Sequence, residues 1–166
     1  SIMNLYGSPA SSAQFLLGKQ LPYLILSFIS YLLMVWVAIV VFDVPIKGSV
    51  WAMFFGAMLA IQASTSFGLL VSCFVKSQIA AIFATAIISM VPTMNFSGMI
   101  YPTSSLPPNS IVIAHIFPGY WLQLISLGGF TKGLGFFDFI ENYTALLLIY
   151  AVYMTCAIFL LKKQEK

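Results

Sequence analysis

Arginine is absent from this sequence, histidine occurs once, and seven lysines and four carboxylates carry all the remaining charge of 166 residues. All seven cations are lysine, and no basic cluster among them suits nucleic acid. Charged residues make up 7% of the chain, against roughly a quarter in soluble domains. Hydrophobic residues reach 61% and mean hydropathy is +1.01, so no soluble core of any size can be drawn from what lies outside the apolar runs. This is the composition of one integral membrane domain. The net charge of +3 bears on topology rather than on partners.

Chemistry-bearing residues are equally scarce. Cys73 and Cys156 both fall inside apolar runs at no metal spacing, and no His, Cys or carboxylate ligands cluster. A GxxxxGK[ST] phosphate loop is missing. The glycine-rich residues 128–133, GGFTKG, follow an apolar piece rather than a strand and are expected to be a flexible exit from it. His115 could be paired with Ser97, Ser104 or Ser105, but those serines sit in a Pro-rich turn with no orienting group for a base. The sequon at Asn142 lies beside an apolar run and carries no weight. No catalytic residue, metal or cofactor is assigned to the chain itself.

What is abundant is uninterrupted apolar sequence. Residues 21–42 hold no charge, and at 1.5 Å per residue they reach about 33 Å, enough to cross a bilayer. Further spans are expected at 50–75, 78–96 and 143–161. Before them, Ser8 and Pro9 form a cap and a first-turn proline, Phe15, Leu16 and Leu17 give an apolar side, and Gly18 can close the helix. Residues 4–18 are therefore expected to lie as a short amphipathic helix on the membrane surface. Ser1 is not an initiator and no signal peptide precedes the first run, so the sequence is expected to continue upstream.

The chain is organised around residues 95–132. A Pro-rich turn at Pro102, Pro107 and Pro108 follows Ser97-Gly98, and two apolar pieces, 109–116 and 120–130, are each too short to span. Phe117-Pro118-Gly119 separates them, because proline lacks an amide donor and clashes with the preceding turn. The pair is expected to form a re-entrant hairpin, which survives at membrane depth only where protein or water covers its broken backbone. Tyr101, Phe117, Tyr120, Trp121, Phe130, Phe136 and Phe137 would flank it as an interfacial belt.

Lysine placement orients the spans. Lys19, Lys76, Lys162, Lys163 and Lys166 fall on one side, and Lys47 and Lys132 on the other with Asp43, Asp138 and Glu141. The positive-inside rule then puts the N-terminal helix and the C-terminus in the cytoplasm. No ionisable residue lies within the spans, so an energy source, if the chain needs one, lies elsewhere. Gly56, Ala60, Ser64, Gly68 and Ser72 make a small-residue seam suited to helix packing. Gln62, Thr65 and Asn95 are the candidates for a substrate path.

At the level of motifs, SPASSAQFLLGKQLPY, DVPIKGS, KSQIAAIF, FSGMIYPTSSLPP, FPGYW and LLKKQEK, in this order, resemble the C-terminal half of ABC-2 type transporter permeases. Their wording is most similar to the permease region of bacterial fusions of a ribosome-associated ATPase with a multidrug exporter. The resemblance implies an all-α integral membrane fold, with four of a permease's six transmembrane helices in this chain. It makes residues 4–18 a cytoplasmic coupling helix seated on an ATPase, with Ser8, Pro9, Phe15 and Leu16 as its contacts. Ser97, Gly98, Pro102, Pro107, Pro118 and Gly119 would belong to an outer gate built from the turn and hairpin. Many relatives have an arginine before the hairpin glycine; here Ser126-Leu127-Gly128 stands in its place, so no phosphate or headgroup contact is carried over.

The implied partners are ABC ATPase domains, fused or separate, which hold ATP and Mg, together with a second permease half or an identical copy, and the lipid bilayer. The implied activity is ATP-driven export of an amphipathic or apolar substrate, drug or lipid-like, across the bacterial inner membrane. Two rival classes stay open: a membrane anchor or scaffold for an ATPase, including a ribosome-associated one, and a passive pore. A pore should carry a polar stripe along a whole span, and the second span has one only over Gln62 to Ser66.

Overall fold

The computed structural model describes residues 12–75 and 77–164. Ser8, Pro9 and most of the expected coupling helix lie outside these residues, as does Lys76. The described residues form helices and connecting turns with no strand. Six α-helices follow in order: α1 (Ser12–Val40), α2 (Val50–Phe74), α3 (Gln78–Phe96), α4 (Pro108–Ile116), α5 (Pro118–Leu127) and α6 (Ile140–Gln164). Four of them, α1, α2, α3 and α6, are long and apolar enough to cross a membrane.

The expected break at Gly18 does not occur. α1 runs through Gly18 and through Pro22 to Val40 as one 29-residue helix. The carbonyl that Pro22 leaves without an amide is that of Gly18, four residues back, where the missing Cβ spares one source of crowding. α1 stops before Phe42 because Asp43 takes a left-handed conformation, φ 53°, which a short polar side chain tolerates. Ser49 and Ser77 then cap α2 and α3, each accepting from the amide three residues on. α6 starts earlier than expected, at Ile140, led in by a 3-10 turn at Phe137–Phe139.

α2 is the central post, with α1, α3, α5 and α6 packed around it. Half of its apolar stretch is buried, whereas none of that of α1 or α3 is. Small residues make this possible. A methyl on Gly56 would stand 2.7 Å from Ile125 of α5, and Ala52, Ala60 and Ala63 are fully buried with Ile125, Phe139, Tyr143 and Leu146. Four residues advance a helix by slightly more than one turn, so the seam winds round α2. Gly56 meets α5 and α6, while Gly68 faces Thr85 of α3.

Residues 128–133 are not a loose exit. Gly128–Lys132 continues α5 as a π-helix, and the turn before α2 is sewn to it by Gly48 N–H to Gly129 O at 2.8 Å and Ser49 N–H to Leu134 O at 3.2 Å. These bonds define one end of the bundle, where Lys47 and Lys132 lie. At the opposite end, Leu16 is buried against Leu69, Met154 and Ala157, with Phe15 packed beside them.

Candidate functional site

Phe117, Pro118 and Gly119 form an elbow rather than an antiparallel hairpin: α4 and the α5 arm through Lys132 meet at 93°. Its depth follows from its neighbours. The Phe117 ring lies 5.7 Å from that of Phe67, which is about 25 Å along α2 from Val50. The Tyr153 hydroxyl donates to Ile116 O at 2.7 Å, about 20 Å along α6 from Ile140. The α5 arm then climbs back to the Gly48 end, where Gly129 is held.

Proline at the break removes the donors that would continue α4, so its last carbonyls need other partners. They have them. Ala114 O accepts from Phe117 N–H at 3.1 Å, His115 O from the Trp121 indole N–H at 3.0 Å, and Ile116 O from Tyr153. Phe117 and Trp121, expected in an interfacial belt, are instead built into the bundle, where Trp121 packs on the core and Phe117 is 9% exposed.

Beside the elbow is a cavity of about 220 Å³ between α2, α3 and the start of α5. Ser64, Thr85, Ser89 and Thr93 supply hydroxyls to its wall, and Phe67, Met90, Phe117, Pro118 and Gly119 complete it. Thr85, Ser89 and Thr93 are spaced by four, so α3 presents them on one side. Gly119 is there because nothing larger fits: a Cβ would run into Thr93.

The other expected site residues are dispersed. Thr65 Oγ1 accepts from Gln20 Nε2 at 2.7 Å, and the same Nε2 reaches Gln62 O at 3.0 Å. Thr65 with the Gln62 backbone thus forms a clasp between α1 and α2. Asn95 is apart from both, its Nδ2 bonding back to Val91 O at 2.8 Å on α3. Ser97 is 2% exposed and its hydroxyl has no partner among the described residues, while Gly98 follows at φ 93°, a conformation that favours glycine. Pro102 O accepts from Ser105, and Pro107 precedes the first turn of α4. His115 makes no pair with Ser97, Ser104 or Ser105; its Nδ1 lies 2.6 Å from Ile111 O, and its ring rests on Tyr120 and Trp121. Among the described residues no group could hold a metal ion.

The sequence profile of the ABC-2 family transporter proteins matches residues 1–159. The chain belongs to that family. The ABC-2 chain is 27% identical over 129 residues to YbhS of Escherichia coli strain K12, named a probable multidrug ABC transporter permease, and to its namesake in strain O157:H7. The match covers 75% of this chain and 34% of each relative, so the chain spans about a third of their length. No solved structure matches it. Family membership and four apolar helices of spanning length make it a multi-pass membrane protein.

Three residues of this ABC-2 site escaped the sequence. Gln20 is 1% exposed and holds two acceptors of α2, yet its position among Gly18, Lys19 and Leu21 looked like a membrane boundary. Tyr153 and Trp121 looked like ordinary aromatics of a span and a belt. A free carbonyl is predictable wherever proline breaks a buried helix, and a nearby phenol or indole is the donor to seek.

Proposed function

We propose that this chain is the C-terminal membrane half of an ATP-driven ABC-2 exporter permease that moves an amphipathic or apolar substrate, drug or lipid-like, outward. The observation that carries this reading is the elbow: a helix broken deep in the bundle, its freed carbonyls taken up by Trp121 and Tyr153. A passive anchor has no need of such a break. A deep, right-angled break fully paired by protein suits an element that moves as a unit. In this reading the elbow with Ser97, Gly98, Pro102 and Pro107 forms the outer gate. The lysine distribution then sets the N-terminal segment and the C-terminus in the cytoplasm of a bacterial inner membrane.

ATP and Mg belong to ATPase domains, fused or separate, and a second permease half or copy completes the path. Residues 4–18, with Ser8 and Pro9, act as the coupling segment. Phe15 and Leu16, packed against α2 and α6, attach it to the spans. A pore is the weaker account, because the polar stretch of α2 is short and two of its hydroxyls are spent on packing: Thr65 is tied to Gln20, and Ser66 bonds to Ala63 O at 2.7 Å.

The test is ATP hydrolysis and substrate export by the full-length parent in lipid nanodiscs, with Phe15→Ala against wild type. Half-buried Phe15 should tolerate truncation, leaving hydrolysis intact while its stimulation by substrate is lost. Unchanged coupling would refute the role of this segment. Absence of any ATPase travelling with the chain would refute the exporter.

A further inference from the structure

A hydroxyl in a membrane helix ordinarily turns back onto the carbonyl one turn before it. Ser30, Ser66, Ser72 and Thr155 do so. The hydroxyls around the elbow cavity differ. Ser64, Thr85 and Thr93 make no hydrogen bond among the described residues, and only Ser89 is committed, to Thr85 O at 2.7 Å. Three open hydroxyls thus converge on one cavity.

We propose that this cavity binds the head of a neutral, hydrogen-bonding amphiphile, an alcohol or ester of about glycerol size, whose tail leaves through the side of the bundle. The size is set by the cavity: about 220 Å³ is room for roughly seven waters. The neutrality is set by its wall, where no ionisable residue stands among the described residues to pair a charged head. The direction is set by the mouth. Ser64 and Met90 are the exposed members of the lining, and Ser64 lies about 21 Å along α2 from Val50, so the opening is lateral rather than at a rim. Phe67 and Phe117 give the first tail carbons an apolar wall. Because Pro118 and Gly119 form another wall, a bound head touches the elbow directly. As a statement of substrate class this rests on the permease reading, but binding can be measured without transport.

The experiment uses the full-length parent in nanodiscs without nucleotide, and a monoacylglycerol carrying a diazirine as the probe. Labelling is expected on the peptides containing Ser64 and Met90. Thr85→Val with Thr93→Val, which keeps shape and removes two neutral hydrogen bonds, should lower it roughly tenfold. Ser64→Leu, at the exposed mouth where folding is spared, should abolish it. A probe with the same tail and no hydroxyls, and one with a phosphate head, should label at background. Unchanged labelling in both variants, or equal labelling by the hydroxyl-free probe, would overturn the site and leave the cavity to water. Equal labelling by the phosphate-headed probe would overturn the neutral head. A parent that binds as expected yet exports nothing would keep the site and overturn the transport reading instead.

Discussion

Replacing Tyr153 by Phe removes one oxygen and leaves the carbonyl of Ile116 without its donor. Ile116 is the last residue of α4, proline stands two positions on, and the Tyr120 amide goes to Phe117 O, so the backbone offers no replacement. Leaving this part-buried acceptor unpaired in an apolar setting costs about 1–3 kcal/mol. Tyr143 supplies the control. Its hydroxyl donates to Ala52 O at 2.9 Å in a buried setting, but Ala52 sits in the first turn of α2, where the Gly56 amide is in register to bond the same carbonyl. Tyr143→Phe is therefore expected to cost only about 0.6 kcal/mol, the average for an interhelical bond in a membrane protein. Both variants keep their ring contacts, Tyr153 with Phe67 at 5.2 Å and Tyr143 with Phe55 at 5.1 Å, so the comparison isolates the hydroxyls. Reversible unfolding in lipid, followed by tryptophan fluorescence, should separate the two variants by about 1 kcal/mol or more. Hydrogen exchange at residues 117–121 should rise only in Tyr153→Phe. Equal losses, with no local change in exchange, would refute the dependence of the elbow on this phenol.

Gln20→Leu should cost under about 1 kcal/mol, since it deletes two hydrogen bonds but also the buried Oε1 that has no partner among the described residues; Gln20→Glu, which sets acceptor against acceptor, should cost about 3 kcal/mol or more by the same unfolding assay. Gly119→Ala should lose about 1–3 kcal/mol against Thr93. Thr93→Ala in the same chain should restore much of it, and additive losses in that double-mutant cycle would mean the two do not touch. Gly56→Leu should lower yield and thermal stability sharply, because Ile125 and Tyr143 already occupy the space; thermal melts matching wild type would dispose of the seam as a packing element.

The apolar runs made the four long helices legible, because a single continuous run can pair its backbone within itself in lipid only as a helix. Proline at position 118 made the break legible too. Its shape was not, since a sequence shows where a helix must stop and not at what angle the next one leaves. The join of residues 4–18 to the first span was misread at Gly18 for a related reason: glycine permits an ending but does not impose one, and the packing of Leu16 and Gln20 against neighbouring helices carries α1 through it. The cavity was visible only as scattered serines and threonines. Sequence spacing put Thr85, Ser89 and Thr93 on one side of a helix, but which of them turn back on their own carbonyls is decided by contacts across the bundle. Thr65 drew attention as one of the more polar residues of a span, yet its hydroxyl is consumed by packing between α1 and α2.

α2 gives these separate features a common frame. Its far half holds Leu69 against Leu16 and Met154, its middle receives Gln20 and turns Ser64 to the cavity, and its near half locks Gly56 under Ile125 of the α5 arm. A displacement of α1 at its Leu16 end therefore reaches the elbow through a single rigid helix rather than through a chain of loops. α3 has no buried residue and touches that frame mainly through Thr85, Thr93 and the walls of the cavity. It is the element best placed to shift when the cavity fills. The consequence can be measured: a spin-label distance from Met94, exposed near the far end of α3, to exposed Trp51 near the start of α2 should stay fixed on Phe15→Ala substitution and change when the monoacylglycerol probe binds. The opposite pattern would place the movable joint at α1 and not at α3.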